Sequence, residues 1–220
     1  MIVAFTGQKG GSGKTTGALS VASEWLGRGH KVLLVDADPQ GSVLTWADVA
    51  GEAGLTAPTV VAMGANLHRP DQLPTLAQAY DRVVIDCPPN QVEIPRSALL
   101  VADLAILPVG PGALDAWSLA ESIELVRKAR SLRPELKVAI LINRMDHRMR
   151  VARTAREVLA DCGVPILAAE LRYRATYIEA PAAGLGVPQY APQSDAAQEV
   201  KTVVDEIEAL LAEEVKDGVA

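Results

Sequence analysis

The chain has 220 residues, 49% of them hydrophobic but only 4% aromatic, with a formal net charge of −6. That length suits one domain, and its core must be built from Ala, Val, Leu and Ile, as where helices cover a buried parallel sheet. The negative charge argues against a protein that coats nucleic acid with its whole surface, no apolar run approaches the ~20 residues of a membrane span, and two lone cysteines, Cys87 and Cys162, suit reduced cytosolic thiols rather than a disulfide framework.

In chain order, Ile2 to Thr6 is a short apolar run before a glycine-rich turn and reads as a buried strand, with no basic leader ahead of it. Thr15 to Arg28 has helical spacing, with Leu19, Ala22, Trp25 and Leu26 on the inner stripe and Gly27 and Gly29 as its stop. Val32 to Val35 is a second strand ending on Asp36, and Val83 to Ile85 a third ending on Asp86. Leu104 to Leu107 and Val138 to Ile142 read as the fourth and fifth, and Val164 to Leu167 as a candidate sixth. Helical patterns lie at 70–79, 113–130, 151–160 and 195–214, whereas residues 51–75 read as irregular. This alternation predicts an α/β fold: a doubly wound, mostly parallel sheet with helices on both faces, in a single domain over 1–220. Ligands bind such sheets beyond the carboxyl ends of the strands. Four polar segments fall there: the glycine loop, Asp36 with Asp38, Asp86, and Asn143 with Arg144.

Gly7 to Thr15 fits GxxxxGK(S/T), the phosphate-binding P-loop, with strand, loop and helix in the required order. The backbone N–H groups of Gly10, Gly11, Ser12 and Gly13 can turn inward as a nest for phosphate oxygens. The N-terminus of the next helix adds its positive end. Lys14 is expected at the β- and γ-phosphates of ATP, the Thr15 hydroxyl on Mg²⁺, and Thr16 near the α-phosphate. Asp86, carried to a strand tip by apolar residues, can hold a Mg²⁺-bound water. Cys87 reads as a small buried hydrophobe rather than a nucleophile.

Lys9 is a second lysine that a plain P-loop does not need. The run Lys9-Gly10-Gly11-Ser12-Gly13-Lys14-Thr15-Thr16 resembles the deviant Walker A motif of the ParA/MinD family. The resemblance implies that Lys9 reaches the nucleotide of a partner chain and acts there like an arginine finger; a solvated loop lysine is the plain alternative. Asp36-Ala37-Asp38-Pro39-Gln40 resembles the family's switch I, which implies that Asp38 orients the attacking water and Asp36 lies near the Mg²⁺ shell. Taken alone, Asp38 before Pro39 is an Asx-turn residue. Asp86-Cys87-Pro88-Pro89 resembles its Walker B and switch II. Leu141-Ile142-Asn143-Arg144 resembles the segment whose Asn meets adenine, against an Asn that merely ends a strand. Pro108-Val109-Gly110-Pro111 followed by Asp115 resembles a stretch near the family's dimer face. The stretch from Arg172 through Tyr177 and Pro181 to Ser194 resembles the far wall of its nucleotide pocket.

The resemblance implies an Mg²⁺-dependent ATPase of the short ParA type. ATP would form a sandwich homodimer that binds DNA non-specifically, and a ParB-like adaptor on a plasmid, chromosome or protein cargo would stimulate hydrolysis. It implies a cytoplasmic, nucleoid-associated protein. Candidate phosphate contacts are Arg148, Arg150, Arg153 and Arg156, then Arg172 and Arg174; a solvated helix face is the alternative. Gln189 departs from the pattern, since many relatives carry Arg before the tyrosine. The acidic C-terminal run disfavours the membrane helix of the MinD branch, and cluster cysteines are absent. The rival class is a metabolic ligase of the dethiobiotin or cobyrinate-amidation kind, which phosphorylates a carboxylate. Against it stand Lys9 and the lack of room for a glutaminase domain.

Overall fold

The apolar runs become strands because they can be covered on both sides. The computed structural model describes residues 1–110, 113–146, 148 and 152–213, with the backbone alone at 113–117 and 152–155. Its strands are β1 (Ile2–Phe5), β2 (Val32–Asp36), β3 (Thr59–Ala62), β4 (Arg82–Asp86), β5 (Leu104–Val109), β6 (Lys137–Met145) and β7 (Ile166–Arg172). They form one sheet in the order β3-β2-β4-β1-β5-β6-β7, with every pairing parallel. The helices are α1 (Lys14–Gly27), α2 (Ser42–Glu52), α3 (Leu73–Ala77), α4 (Glu93–Leu99), α5 (Ala113–Arg130), α6 (Ala152–Ala160), α7 (Thr176–Ala182), α8 (Val187–Tyr190) and α9 (Asp195–Ala212).

Alternate strand residues feed two cores. Val3, Phe5, Leu34 and Ile106 pack with Leu19 and Trp25 of α1 and Val203 and Ile207 of α9. Ala4, Leu33, Val35, Ile85 and Ile140 pack on the other face with Leu99, Leu119, Val126 and Leu159. Each central strand is therefore apolar on both sides, as a parallel sheet under two helical layers requires.

Several boundaries differ from the sequence reading. The region read as irregular contains β3, an edge strand of four residues with none fully buried, too short to stand out. The helix read at 70–79 is only Leu73–Ala77, begun by Pro74 in its first turn. The sixth strand starts later and runs on to Arg172, because an edge strand tolerates exposed polar residues. The sequence reading left out α2, although its buried Val43, Trp46 and Ala50 have helical spacing. Among the described residues, no helix is long and apolar enough to cross a membrane.

Candidate functional site

Parallel register brings the site together. Asp86 lies opposite Phe5 on one side and opposite Asp36 on the other, so β1, β4 and β2 end level. From Phe5 the chain enters the P-loop, and α1 begins at Lys14. Gly13, just before it, has φ 100°, a left-handed conformation that L side chains rarely adopt. A Cβ there would stand 1.7 Å from the Asn143 amide nitrogen.

The loop is tied down from three directions. Asn143, buried at the end of β6, donates from Nδ2 to the Ser12 carbonyl at 2.8 Å. The Gln8 backbone N–H donates to Ser122 Oγ of α5 at 3.1 Å. Asn90, just past β4, donates its N–H to the Gln8 carbonyl at 3.0 Å. Ser122 and Asn90 were not singled out from the sequence; nothing local marks a helix serine or a loop asparagine as a P-loop support.

Lys14 is 5% exposed, and its ammonium donates to the Lys9 carbonyl at 2.9 Å. Burial lowers its pKa, against the pull of the Asp86 carboxylate. The Thr15 hydroxyl donates to Asp86 Oδ2 at 2.6 Å. Asp86 is 1% exposed and its Oδ1 has no hydrogen-bond partner among the described residues. Burial pushes its carboxyl up to about 7, with Asp36 and Asp38 adding to the shift and Thr15 and Lys14 opposing it. A desolvated carboxylate with one oxygen unmatched, beside a hydroxyl, is a donor set suited to a hard divalent cation.

Asp36 lies beside Asp86 in the sheet register, and its carboxylate is engaged by backbone N–H groups. Its Oδ2 accepts the N–H groups of Val43 and Leu44 at 3.0 and 2.9 Å, and its Oδ1 accepts from Asp38 at 3.2 Å. It thereby caps α2 from β2, because the residue before that helix is Gly41, which has no side chain to do so. Asp38 is half-buried, and its Oδ1 accepts the Gln40 N–H at 2.9 Å, the Asx turn that its position before Pro39 allows. Gly10 and Gly11 form the exposed crest of the loop, Ser12 is buried and Lys9 is half-buried. Thr16 joins Thr15, Ser42, Trp46, Tyr177 and Pro181 around a cavity of about 420 Å³. The C-terminal segment thus borders the end of the P-loop.

The arginines expected to face DNA are largely paired within the chain. Arg174 contacts Glu199 at 2.7 Å and Asp195 at 3.1 Å. Arg172 lies 3.7 Å from Glu170 and 3.9 Å from Glu199. Arg156 donates to the Leu167 and Ala168 carbonyls and sits 3.7 Å from Glu170. Arg148 is exposed and pairs with Asp146 at 2.9 Å. The described part of this face is charge-balanced rather than a basic patch, because Glu170 and α9 bring carboxylates to it. Arg150 and Pro111 lie outside the described residues, as do the side chains of Arg153 and Asp115. Arg144 is exposed with φ 55°. Gln189 turns inward, accepting from Gly186 at 3.0 Å and donating to the Ser23 carbonyl at 3.3 Å.

Comparison with known proteins gives the same picture. Residues 3–187 match the family described as CbiA, the CobQ/CobB/MinD/ParA nucleotide binding domain. The chain is 34% identical over 209 residues to the maintenance of carboxysome distribution protein A of Halothiobacillus neapolitanus, covering 93% of this chain and 95% of that protein. It is 28% identical over 240 residues to the chromosome-partitioning ATPase Soj of Thermus thermophilus, covering 96% of each. Among solved structures, apo McdA of Cyanothece superposes with a TM-score of 0.77 at 16% identity, covering 94% of this chain and 98% of that one. A Mycobacterium smegmatis cobyrinic acid a,c-diamide synthase with bound ATP analog and magnesium also gives 0.77, at 22% identity, covering 99% and 96%. That solved chain is likewise matched almost end to end.

Proposed function

The chain belongs to the CobQ/CobB/MinD/ParA nucleotide-binding family, and from that premise we propose that it is a ParA-type, Mg²⁺-dependent ATPase that positions or segregates a cargo. The observation that carries the reading is the group Lys14, Thr15 and Asp86, with the Thr15–Asp86 contact at 2.6 Å and Asp86 Oδ1 buried without a partner. ATP would lie along the P-loop, its phosphates on the backbone N–H groups of Gly10 to Thr15 and on Lys14. Mg²⁺ would be held by Thr15 and Asp86 and would neutralise charge developing on the transferred phosphoryl group. Asp38 would leave its Asx turn to orient the attacking water, and Asp36 would hold switch I beside it. Asn143 and Arg144 lie in the segment that the resemblance would bring to the adenine base.

Lys9 supports the partition reading over the ligase reading. A ligase brings its own carboxylate acceptor to one chain, whereas a second lysine in the loop suits a site completed by a partner chain. Two ATP-bound copies would form the sandwich dimer, bind DNA non-specifically and release it when an adaptor stimulates hydrolysis. The carboxysome-distribution relative at 34% identity supports a protein cargo, and the chromosome-partitioning relative a DNA cargo.

Asp38→Ala, which should bind ATP without hydrolysing it, tests the cycle. Light scattering after gel filtration should show a dimer with ATP and a monomer with ADP, and the dimer should co-sediment with DNA at low salt. Lys9→Ala should retain ATP binding and lose most turnover. A monomer in ATP, or normal hydrolysis by Lys9→Ala, would sink the sandwich-dimer reading. ATP turnover that requires an added carboxylate would favour the ligase.

A further inference from the structure

We infer that Arg156 and Glu206 form a clamp that closes the free edge of the sheet, so that β7 does not pair with β7 of a second copy. The inference stands apart from the ATPase reading. β7 pairs with β6 on one side and, among the described residues, with no strand on the other. A strand of seven residues in that position offers outward N–H and C=O groups that a second chain can take up. The opposite edge is managed differently: β3 has only four residues, too few to template much pairing.

On β7 those groups are taken by charged side chains that come from both faces of the sheet. Glu206 of α9 accepts the Ala168 N–H on Oε2 and the Ala169 N–H on Oε1, each at 2.7 Å. Arg156 of α6 donates to the Leu167 carbonyl at 2.8 Å and to the Ala168 carbonyl at 2.6 Å. Leu159 places α6 in one core, and Val203 and Ile207 place α9 in the other, so the two side chains approach the edge from opposite sides. Further along, Glu199 accepts the Arg172 N–H at 3.1 Å. Hydrogen bonds of this kind, with one partner ionised, are the stronger ones. They fall on a bulge: Ile166 lies opposite Ile140 and Glu170 opposite Ile142, so residues 167–169 of β7 face only Leu141 of β6. Extra residues in a bulge are left without ladder partners, and Ala168 is exposed. The clamp therefore sits where unpaired backbone would be most available to a second chain.

The test opens the clamp and watches the edge. Light scattering after gel filtration, without nucleotide and over a range of concentrations, is run on the wild type, on Arg156→Ala with Glu206→Ala, and on Arg156→Ala with Glu206→Lys. Both double variants lose the clamp, but the lysine returns a charge to the edge. The alanine pair should self-associate about tenfold more tightly than wild type or better, from the backbone hydrogen bonds it frees, and the lysine pair should not. Amide hydrogen exchange locates the contact. In the dilute alanine variant the Ala168 and Ala169 N–H groups should exchange faster than in wild type, and they should regain protection as it associates. Self-association that leaves these amides unprotected, equal self-association by the lysine pair, or a folded alanine variant as monomeric as wild type overturns the inference. If the alanine pair does not fold, Glu206→Ala and Arg156→Ala singly carry the same test at smaller amplitude.

Discussion

At the carboxyl end of β4, Asp86 is buried with one oxygen lacking a partner, whereas at the β7–α9 edge Arg174 meets Glu199 and Asp195 at 2.7 to 3.1 Å. Both regions are rich in charge, but the fold treats them in opposite ways. Beyond β1, β2 and β4 the backbone is held rigidly while an acidic oxygen is left unmatched, at a cost in desolvation. Along β7 and α9 every described arginine finds a carboxylate or a carbonyl. A polar group that the fold orients but does not satisfy points to a ligand; one that the fold satisfies completely is accounted for by structure.

The largest effect expected from breaking this contrast is at Gly13. Gly13→Ala must adopt a left-handed backbone and also displace the Asn143 amide. Strain and overpacking together should destabilise the protein by about 2–4 kcal/mol and lower Tm by roughly 4–16 °C, and ATP binding should be lost. Thermal melts and nucleotide titration check both. A variant with wild-type Tm and affinity would mean that the loop is not held as described.

Asp86 is next. Its carboxyl has a folded pKa of about 7 against an ordinary 3.8. Below about pH 4 both states are protonated and burial carries no charge penalty. As pH rises from about 4 to 7, the unfolded chain has released this proton and the folded chain has not, so stability falls; above 7 the full penalty of the buried carboxylate applies. Nucleotide-free protein should therefore melt several degrees higher near pH 5 than near pH 8. Asp86→Asn should flatten that slope relative to wild type, and Mg²⁺ with ATP should restore stability to the wild type alone. Parallel slopes for the two proteins would show that the carboxyl is not desolvated in this way.

Legibility followed the same division. The central strands could be read because two-sided burial demands unbroken apolar runs such as Val32–Val35, and the P-loop because its function is written in backbone-permissive residues at fixed spacing. Edge strand β3 and the short helices α4, α7 and α8 were not legible, since few residues in each carry a periodic signal and tertiary packing decides them. The supports of the site were hidden for a related reason: Ser122 meets Gln8 across 114 positions of sequence and Asn143 meets Ser12 across 131. The partners of the arginine face were hidden because spacing along α6 and β7 says nothing of what α9 brings from 25 residues away, where Glu199 takes the Arg174 guanidinium. Asp36 shows the intermediate case. Its position at a strand tip was readable, but its work as the cap of α2 depends on Gly41 leaving that cap vacant.

The smallest and most discriminating effect is at Arg174 itself. Its guanidinium is about one-quarter exposed and Asp195 is largely exposed, so solvent screens much of the attraction. The Glu199 contact is the better protected part, and Glu199 also accepts from the Tyr177 hydroxyl at 3.0 Å. Arg174→Ala should therefore cost about 1 kcal/mol, a Tm loss of roughly 2–4 °C. DNA co-sedimentation of the ATP-bound Asp38→Ala protein should change by less than about twofold, because a guanidinium already matched by two carboxylates adds little phosphate attraction. Glu199→Gln provides the complementary change: it frees Arg172 and Arg174 from their shared acid while keeping the Tyr177 contact. If this face met DNA, that substitution would tighten binding and steepen its salt dependence. Should Arg174→Ala instead weaken DNA binding severalfold with Tm unchanged, the ion pairs would be a resting arrangement that DNA replaces, and satisfaction within the chain would no longer mark a group as structural.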